Sequence, residues 1–316
     1  MSIKKEMLNY LRGRKRVLTF FIKQQRYSLE NADTRTQIEA SITRLYHTIE
    51  KGLSYIEYRP GFGKSSILDL INLLAMYSDK YGTDSFTYST ALSCLNEYMK
   101  KNHEYGYTDE ELEDKIKSLL GEPNQYGGIL PFNPLTKEQL SNASFRTVIE
   151  TRHSIRHFSN KEVPNDLLIE AICMAQKAPS ACNRQPWRTI IVEDKIKIRD
   201  ILSNQNGNRG FGHEINKLLI VLSDLQCYNK SREFFQVFID GGIYSGILIE
   251  GLHFLGVGSI PLSAALTQNQ ENKIRTILGI NQSEQFILLI GVGFYPDAEE
   301  CITTKSTRKK PYISIQ

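Results

Sequence analysis

Three short runs of aliphatic and β-branched residues lie in the second half of this 316-residue chain. They span residues 188–193, 217–223 and 286–293, which are the lengths of buried strands. Apolar residues recur at helical spacing before the first run, over residues 167–175, and between the second and third runs, over the glycine-rich stretch 241–255. This alternation predicts a region of mixed helices and strands.

The first half of the chain carries helical patterns only. Apolar residues recur with a helical period over residues 38–53, 66–81, 87–101 and 110–120. A stretch rich in glycine, proline and asparagine follows, and it is typical of a linker or an ordered loop. We therefore predict a helical N-terminal extension over residues 1–145 and a second domain over residues 146–316.

Charge and cysteine usage limit the classes of partner. Residues 1–26 carry eight Lys or Arg and one Glu, so the rest of the chain sums to −3 although the net charge is +4. The basicity is local and predicts no nucleic-acid surface. Residues 1–26 could contact an anionic membrane surface weakly, or form a solvated helix face, which we favour. Five widely spaced cysteines, no secretory signal and no long apolar run predict a cytoplasmic protein.

Isolated polar residues on the predicted helices do not form a reactive cluster. His47 and Glu50 lie three residues apart and predict a hydrogen bond along a helix, since a metal site would need further ligands. Asp240, Glu250 and His253 on the glycine-rich helix could be interpreted as catalytic. A buried hydrogen-bonded role, or a contact between subunits, is the interpretation we favour. We predict no metal site.

The segment from Arg152 to Arg156 alternates Arg, Ser and Arg at every second residue. In an extended segment these side chains project to one side. Two guanidinium groups and a hydroxyl on one side favour an anion site, because Arg binds phosphate through paired hydrogen bonds and stays charged. The alternative is the polar face of an exposed strand.

A second polar segment, residues 178–187, reads Ala-Pro-Ser-Ala-Cys-Asn-Arg-Gln-Pro-Trp. It follows a predicted helix and precedes a predicted strand. Its short hydroxyl and amide side chains could offer donors and acceptors to the polar edge of a ring. Alone it could be only a loop.

Taken together, the two segments resemble motifs of the nitroreductase family of FMN-dependent oxidoreductases. Residues 152–156 match the R-x-S-x-R motif of that family, and residues 180–187 match its S-x-x-N-x-Q-P-W motif. The resemblance covers about residues 146–316. It implies an α+β fold with a mainly antiparallel sheet flanked by helices, here preceded by an all-helical N-terminal segment.

The resemblance also implies roles for individual residues. Arg152, His153 and Ser154 would hold the FMN phosphate, and Arg156 would stabilise the reduced flavin at its N1/O2 edge. The remaining cofactor-binding residues that it implies are Pro179, Ser180, Ala181, Asn183, Gln185, Pro261, Leu262, Ser263, and Arg308 or Lys309 as a further phosphate ligand. The family pattern has one residue between this Arg and Pro, whereas Arg308 here is followed by two lysines.

The implied activity is reduction of a small organic acceptor, such as a nitro compound or quinone, by NADH or NADPH in a ping-pong cycle. Alternatives are a flavin-consuming enzyme, a reductive dehalogenase, a dehydrogenase of peptide- or sugar-linked substrates, and a non-enzymatic flavin-bound module. The resemblance implies a homodimer with active sites at the interface. We also predict a short terminal strand over residues 312–315.

Overall fold

The computed structural model describes residues 11, 14, 17, 18, 21, 22, 33–228, 233–296 and 301–316. They form two compact units. The sheet unit contains Phe132–Cys301, and the helical unit contains the described residues from Asp33 to Pro131 together with Ile302–Gln316. Most of the basic segment 1–26 lies outside the described residues, and so does its predicted membrane contact.

The helical unit contains four helices that the sequence predicts. They are α1 (Arg35–Leu53), α2 (Lys64–Tyr81), α3 (Phe86–Glu104) and α4 (Glu110–Lys117). Thr34 caps α1, and its side chain accepts a hydrogen bond from the backbone of Gln37 in a capping box. Every third or fourth residue of α1 is buried, as in Ile38, Ile42 and Leu45, so this face packs into the core of the unit.

Two short strands, β1 (Ile129–Pro131) and β6 (Ile302–Thr304), pair antiparallel within the helical unit. The backbone N–H of Lys305 extends this contact by donating to the carbonyl of Gly128 at 3.1 Å. The predicted terminal strand over residues 312–315 does not form within the single chain, where residues 305–316 form no strand. Tyr312 in that segment is 99% exposed, so no sheet edge covers it.

The two units do not coincide with the predicted domains 1–145 and 146–316. Residues 132–145 belong to the sheet unit, and residues 302–316 belong to the helical unit. The second difference follows from the pairing of β6 with β1, which attaches the end of the chain to the helical unit.

The sheet unit contains a four-stranded antiparallel sheet in the order β2-β3-β5-β4. Its strands are β2 (Trp187–Val192), β3 (Lys217–Asp224), β4 (Val257–Ser263) and β5 (Glu284–Phe294). Central strand β3 is buried from its first residue to its seventh, which explains its unbroken apolar run. β2 and β4 are the edge strands.

Helices cover this sheet and confirm the α+β expectation. They are α5 (Lys137–Ser141), α6 (Phe145–Thr151), α7 (Asn165–Ala175), α8 (Lys195–Ser203), α9 (Gln236–Phe254) and α10 (Gln268–Leu278). α9 packs on α7 and on strands β3, β4 and β5. Gly241 permits this approach, because a Cβ there would lie 2.6 Å from the side chain of Ile287. Among the described residues, no helix combines the length and the apolar character needed to cross a membrane.

Candidate functional site

The first motif follows α6 and lies along the edge strand β4. Ser154 forms a parallel bridge with Ser259 of β4, and the backbone N–H of Ile155 donates to the carbonyl of Ser259 at 2.9 Å. Arg152, His153 and Ser154 are all partly exposed, whereas Arg156 is buried at 7% exposure. The segment is therefore held by backbone contacts at an edge of the sheet.

Arg152 forms an ion pair with Glu250 of α9. Its Nε lies 3.2 Å from Oε1 of Glu250, and the two side chains are 16% and 27% exposed. Within the described part of the chain, Nη1 of Arg152 and Oε2 of Glu250 are buried without a hydrogen-bond partner. Burial raises the pKa of Glu250, and Arg152 opposes that rise. The pair thus leaves one donor and one acceptor atom unsatisfied.

Next to this pair, His253 of α9 is buried and bonded at both ring nitrogens. Nε2 lies 3.0 Å from the hydroxyl of Thr151, and Nδ1 lies 2.9 Å from the hydroxyl of Tyr295. Burial, followed by the charge of Arg152, lowers the pKa of His253 to about 4. His253 is therefore neutral at physiological pH and structural, as expected for this helix.

The residues after Arg156 are anchored by Glu214. Oε2 of this carboxylate accepts the backbone N–H of Phe158 at 3.2 Å and is also in hydrogen-bond contact with Nδ1 of His157. Glu214 lies in the short 3-10 turn Gly212–Glu214 before β3. The motif is thus fixed at both ends, by α9 at Arg152 and by this turn beyond Arg156.

The second motif forms a compact polar loop between α7 and β2. Cys182, Asn183 and Gln185 all have left-handed backbone angles, with φ of 52°, 55° and 46°. The hydroxyl of Ser180 accepts the backbone N–H of Gln185 at 3.0 Å, and the Gln185 side chain donates to Asn183. Three non-glycine residues in this sparsely populated region indicate a loop whose surroundings enforce its shape.

Asp240 of α9 is one of the groups that enforce the shape of this loop. This carboxylate is 1% exposed and accepts hydrogen bonds from the backbone of Ala181 at 3.2 Å, from the hydroxyl of Tyr228 at 3.1 Å and from the side chain of Gln236 at 2.7 Å. Burial raises the pKa of Tyr228 to about 12, so the phenol keeps its proton and donates it. The buried role expected for Asp240 is confirmed.

Arg184, inside the second motif, holds the loop from its other side. Its two terminal nitrogens each donate to Glu233 at 2.8 Å, and its Nε donates to the carbonyl of Ala181 at 2.8 Å. A planar guanidinium on a carboxylate gives a pairing of defined geometry. Arg184 therefore faces the protein, while Asn183 and Gln185 on either side of it are exposed.

Pro261, Leu262 and Ser263 form the end of edge strand β4. Ser263 is exposed, and its carbonyl accepts the side chain of Gln205 at 3.0 Å. Arg308 and Lys309 belong to the helical unit. There Arg308 donates to the carbonyl of Ser306, and Lys309 lies 3.8 Å from Glu39.

The predicted residues of the sheet unit form two groups. The first, Arg152–Ser154, lies beside edge strand β4, and the second, Ser180–Gln185, precedes the opposite edge strand β2. Helix α9 contacts both groups, through Glu250 and Asp240. These two carboxylates are ten residues apart in α9, which corresponds to about 15 Å along the axis.

Sequence reasoning missed the anchoring partners Glu214, Glu233 and Arg184. Glu214 lies 57 positions after His157, and Glu233 lies 49 positions after Arg184. No local pattern marks such pairs. The one sequence signal for these contacts was that Arg184 lies within the second motif.

The comparisons with known proteins agree with the two motifs. The sequence model described as the nitroreductase family matches residues 149–206. Iodotyrosine deiodinase 1 of Homo sapiens is 25% identical over 234 residues, which cover 65% of this chain and 76% of that protein. The iodotyrosine deiodinase of Haliscomenobacter hydrossis is 25% identical over 190 residues, covering 50% of this chain and 82% of that protein.

Among solved structures, a nitroreductase family protein from Clostridium novyi NT is 23% identical. The match covers 50% of this chain and 88% of the other, with a TM-score of 0.45. The family match over residues 149–206 contains both motifs of the candidate site. This part of the chain is therefore similar to the nitroreductase family.

Proposed function

We propose that this protein is an FMN-dependent oxidoreductase that uses NADH or NADPH to reduce a small organic acceptor. The observation that carries the proposal is the buried Nη1 of Arg152, which has no hydrogen-bond partner among the described residues. It lies on the segment that matches the R-x-S-x-R motif. A guanidinium whose buried Nη1 is an unsatisfied donor, two residues from a partly exposed hydroxyl, fits a phosphate group.

In this proposal Arg152, His153 and Ser154 hold the phosphate. FMN would supply the hydride chemistry when bound. Asn183 and Gln185 offer exposed amide groups from a loop of fixed shape, together with Pro179, Ser180 and Ala181. Pro261, Leu262 and Ser263 offer the end of an edge strand.

The surroundings of the first motif support a role in binding rather than in acid–base chemistry. Neutral His253 is enclosed between Thr151 and Tyr295, so both of its nitrogens are already bonded. Burial of its hydroxyl also raises the pKa of Tyr295, which is partly exposed as a residue. These groups stabilise the protein around Arg152 and are not available to exchange protons with a substrate.

A second candidate function is reductive dehalogenation. The observation that favours it is the extent of the alignment with the human iodotyrosine deiodinase 1, which covers 234 residues. That alignment reaches well beyond the 149–206 match of the family model. The cofactor residues proposed above would serve both reactions.

The proposed function is tested with the purified full chain. A flavin spectrum that bleaches with NADH or NADPH under nitrogen supports the oxidoreductase proposal, and a protein that binds no FMN contradicts it. The reduced protein is then offered a nitroaromatic, a quinone or iodotyrosine in parallel. Reoxidation by the first two favours the general reductase, whereas iodide release favours the dehalogenase.

We also propose that the protein is a homodimer. Phe238, Ile239 and Ile243 form an exposed apolar stripe on α9, at 47%, 52% and 39% exposure. A Cβ at Gly242 or Gly246 would meet nothing within 4 Å, so a second helix could approach closely there. The two motif groups lie beside opposite edges of the sheet. In a two-fold dimer, the motif groups of the partner subunit could therefore also contribute to each site.

Replacing Ile243 with arginine is expected to convert the dimer to a monomer and to weaken FMN binding at the same time. The reason is that a two-fold axis would place two introduced charges close together in an apolar contact. Light scattering after size-exclusion chromatography measures the mass. The control is Ile196→Arg, because Ile196 is 62% exposed on α8. A dimer that survives Ile243→Arg would show that α9 is not the interface.

Replacing Arg156 with methionine is expected to lower the midpoint potential of bound FMN. A positive charge near the ring stabilises the anionic reduced form more than the oxidised form. Losing about 1.4 kcal/mol of that preference corresponds to roughly 30 mV for a two-electron couple. Spectroelectrochemical titration measures the shift, and an unchanged potential would remove Arg156 from the redox role.

A further inference from the structure

We propose that Glu250 competes with the phosphate of FMN for Arg152, so that FMN binding takes up one proton at Glu250. This inference rests on the proposed function and adds a regulatory residue that belongs to neither motif. Ionised Glu250 would weaken the binding of the phosphate to Arg152 by electrostatic repulsion. Its protonation state would decide how strongly the phosphate is held.

The geometry of the pair is the basis of this inference. Arg152 directs its Nε to Oε1 of Glu250 at 3.2 Å, while Nη1 of Arg152 is buried without a partner within the described residues. The guanidinium therefore has a donor left for a second anion, beside the carboxylate it already contacts. Oε2 of Glu250 is also buried and receives no hydrogen bond from a described residue.

Two anions beside one cation repel each other in a partly buried environment. A phosphate monoester carries about −1.5 to −2 charges at neutral pH. With Glu250 ionised, one guanidinium would have to balance up to three negative charges. Protonation of Glu250 removes one of them and gives its side chain an O–H donor that can satisfy a phosphate oxygen.

Two groups that face this pair, Tyr295 and His253, do not replace Glu250 as the site of proton uptake. Tyr295, which follows β5, keeps its proton because burial of its hydroxyl raises its pKa. His253 on α9 has its pKa lowered to about 4 by burial, and then by the charges of Arg152 and His153. Glu250 already has a raised pKa from burial. A phosphate nearby would raise that pKa further, since like charges disfavour ionisation.

The sign of the pH dependence follows directly. Between the pKa of Glu250 without FMN and its higher pKa with FMN, binding takes up a proton. Affinity therefore falls as the pH rises through that window, by up to about tenfold per pH unit. Riboflavin lacks the phosphate and should not show this loss.

The experiment measures Kd by quenching of flavin fluorescence for FMN and riboflavin, between about pH 5.5 and pH 9. Wild type is compared with Glu250→Gln, which resembles the protonated carboxyl in shape. We expect the FMN Kd of the two proteins to agree at the acid end. At the alkaline end Glu250→Gln should bind FMN about tenfold more tightly than wild type. Titration of the phosphate itself cancels in this ratio.

The control for net charge is Glu170→Gln, because Glu170 is a half-exposed carboxylate on α7 that pairs with Lys137. It should bind FMN as wild type does at every pH. Calorimetry on wild type and on Glu250→Gln, in two buffers with different ionisation enthalpies, measures the proton uptake that depends on Glu250. A Kd ratio that stays at one across the pH range, weaker FMN binding by Glu250→Gln, or no proton uptake would overturn the inference. Wild type that binds no FMN would instead overturn the proposed function.

Discussion

Replacing Arg152 with alanine is expected to weaken FMN binding by about a hundredfold and to leave riboflavin binding nearly unchanged. Hydrogen bonds between charged partners contribute roughly 1.5–3 kcal/mol each, and a guanidinium can offer two to one phosphate. The ratio of the FMN and riboflavin dissociation constants isolates the phosphate contribution. Equal losses for both flavins would show that Arg152 supports the fold and not the phosphate.

The same substitution should destabilise the protein in a pH-dependent way. Arg152 opposes the rise in the pKa of Glu250, so without it that pKa rises further above its ordinary value. A carboxyl with a raised pKa favours the folded state when protonated, and this contribution is lost as the pH rises through the folded-state pKa. Thermal unfolding should therefore show a small loss at acid pH and a larger one, about 1–3 kcal/mol, at neutral pH.

The double variant Arg152→Ala with Glu250→Gln separates the two effects. It should recover most of the lost stability, because no unpaired carboxylate remains, and it should still bind FMN poorly. A double variant that stayed as unstable as Arg152→Ala would show that packing of the arginine stem, and not charge, is responsible.

Replacing Asp240 with alanine is expected to cost about 2–4 kcal/mol of stability and to weaken flavin binding. The substitution leaves the backbone N–H of Ala181 and the hydroxyl of Tyr228 without their buried acceptor. The second motif should then lose its enforced left-handed shape. Chemical denaturation measures the stability, and flavin fluorescence measures the binding.

Tyr228→Phe is the matched control, because it removes one donor and leaves Asp240 with the other two. It should cost clearly less than Asp240→Ala in stability and should spare flavin binding. If Asp240→Ala unfolded no more easily than wild type, the carboxylate would not be what holds the loop.

The sequence predicts most elements of the fold, because their hydrophobic periods are local. Helices α1 to α4 and strands β2, β3 and β5 lie within a few residues of their predicted positions. Strand β4 is not among the predicted strands, because Gly256, Gly258 and Pro261 weaken the strand pattern there. It is an edge strand, where proline and glycine are tolerated because one side needs no ladder partner.

The candidate site likewise has parts that a local sequence pattern predicts and parts that it does not. Both motifs could be found from residue types at fixed spacing. Their partners could not be found, because Glu250 lies 98 residues after Arg152 and meets it only through the packing of α9. The same holds for Asp240 and Ala181, which are 59 residues apart.

The pairing of β1 with β6 has a consequence for the order in which the chain folds during synthesis. About 170 residues separate the two strands, so at 5–20 residues per second the partner of β1 leaves the ribosome roughly 10–30 s after it. During that interval helices α1 to α4 can already collapse, because their contacts are local. The backbone of β1 stays unpaired until β6 has been synthesised. The helical unit is therefore completed only after the whole sheet unit has been synthesised.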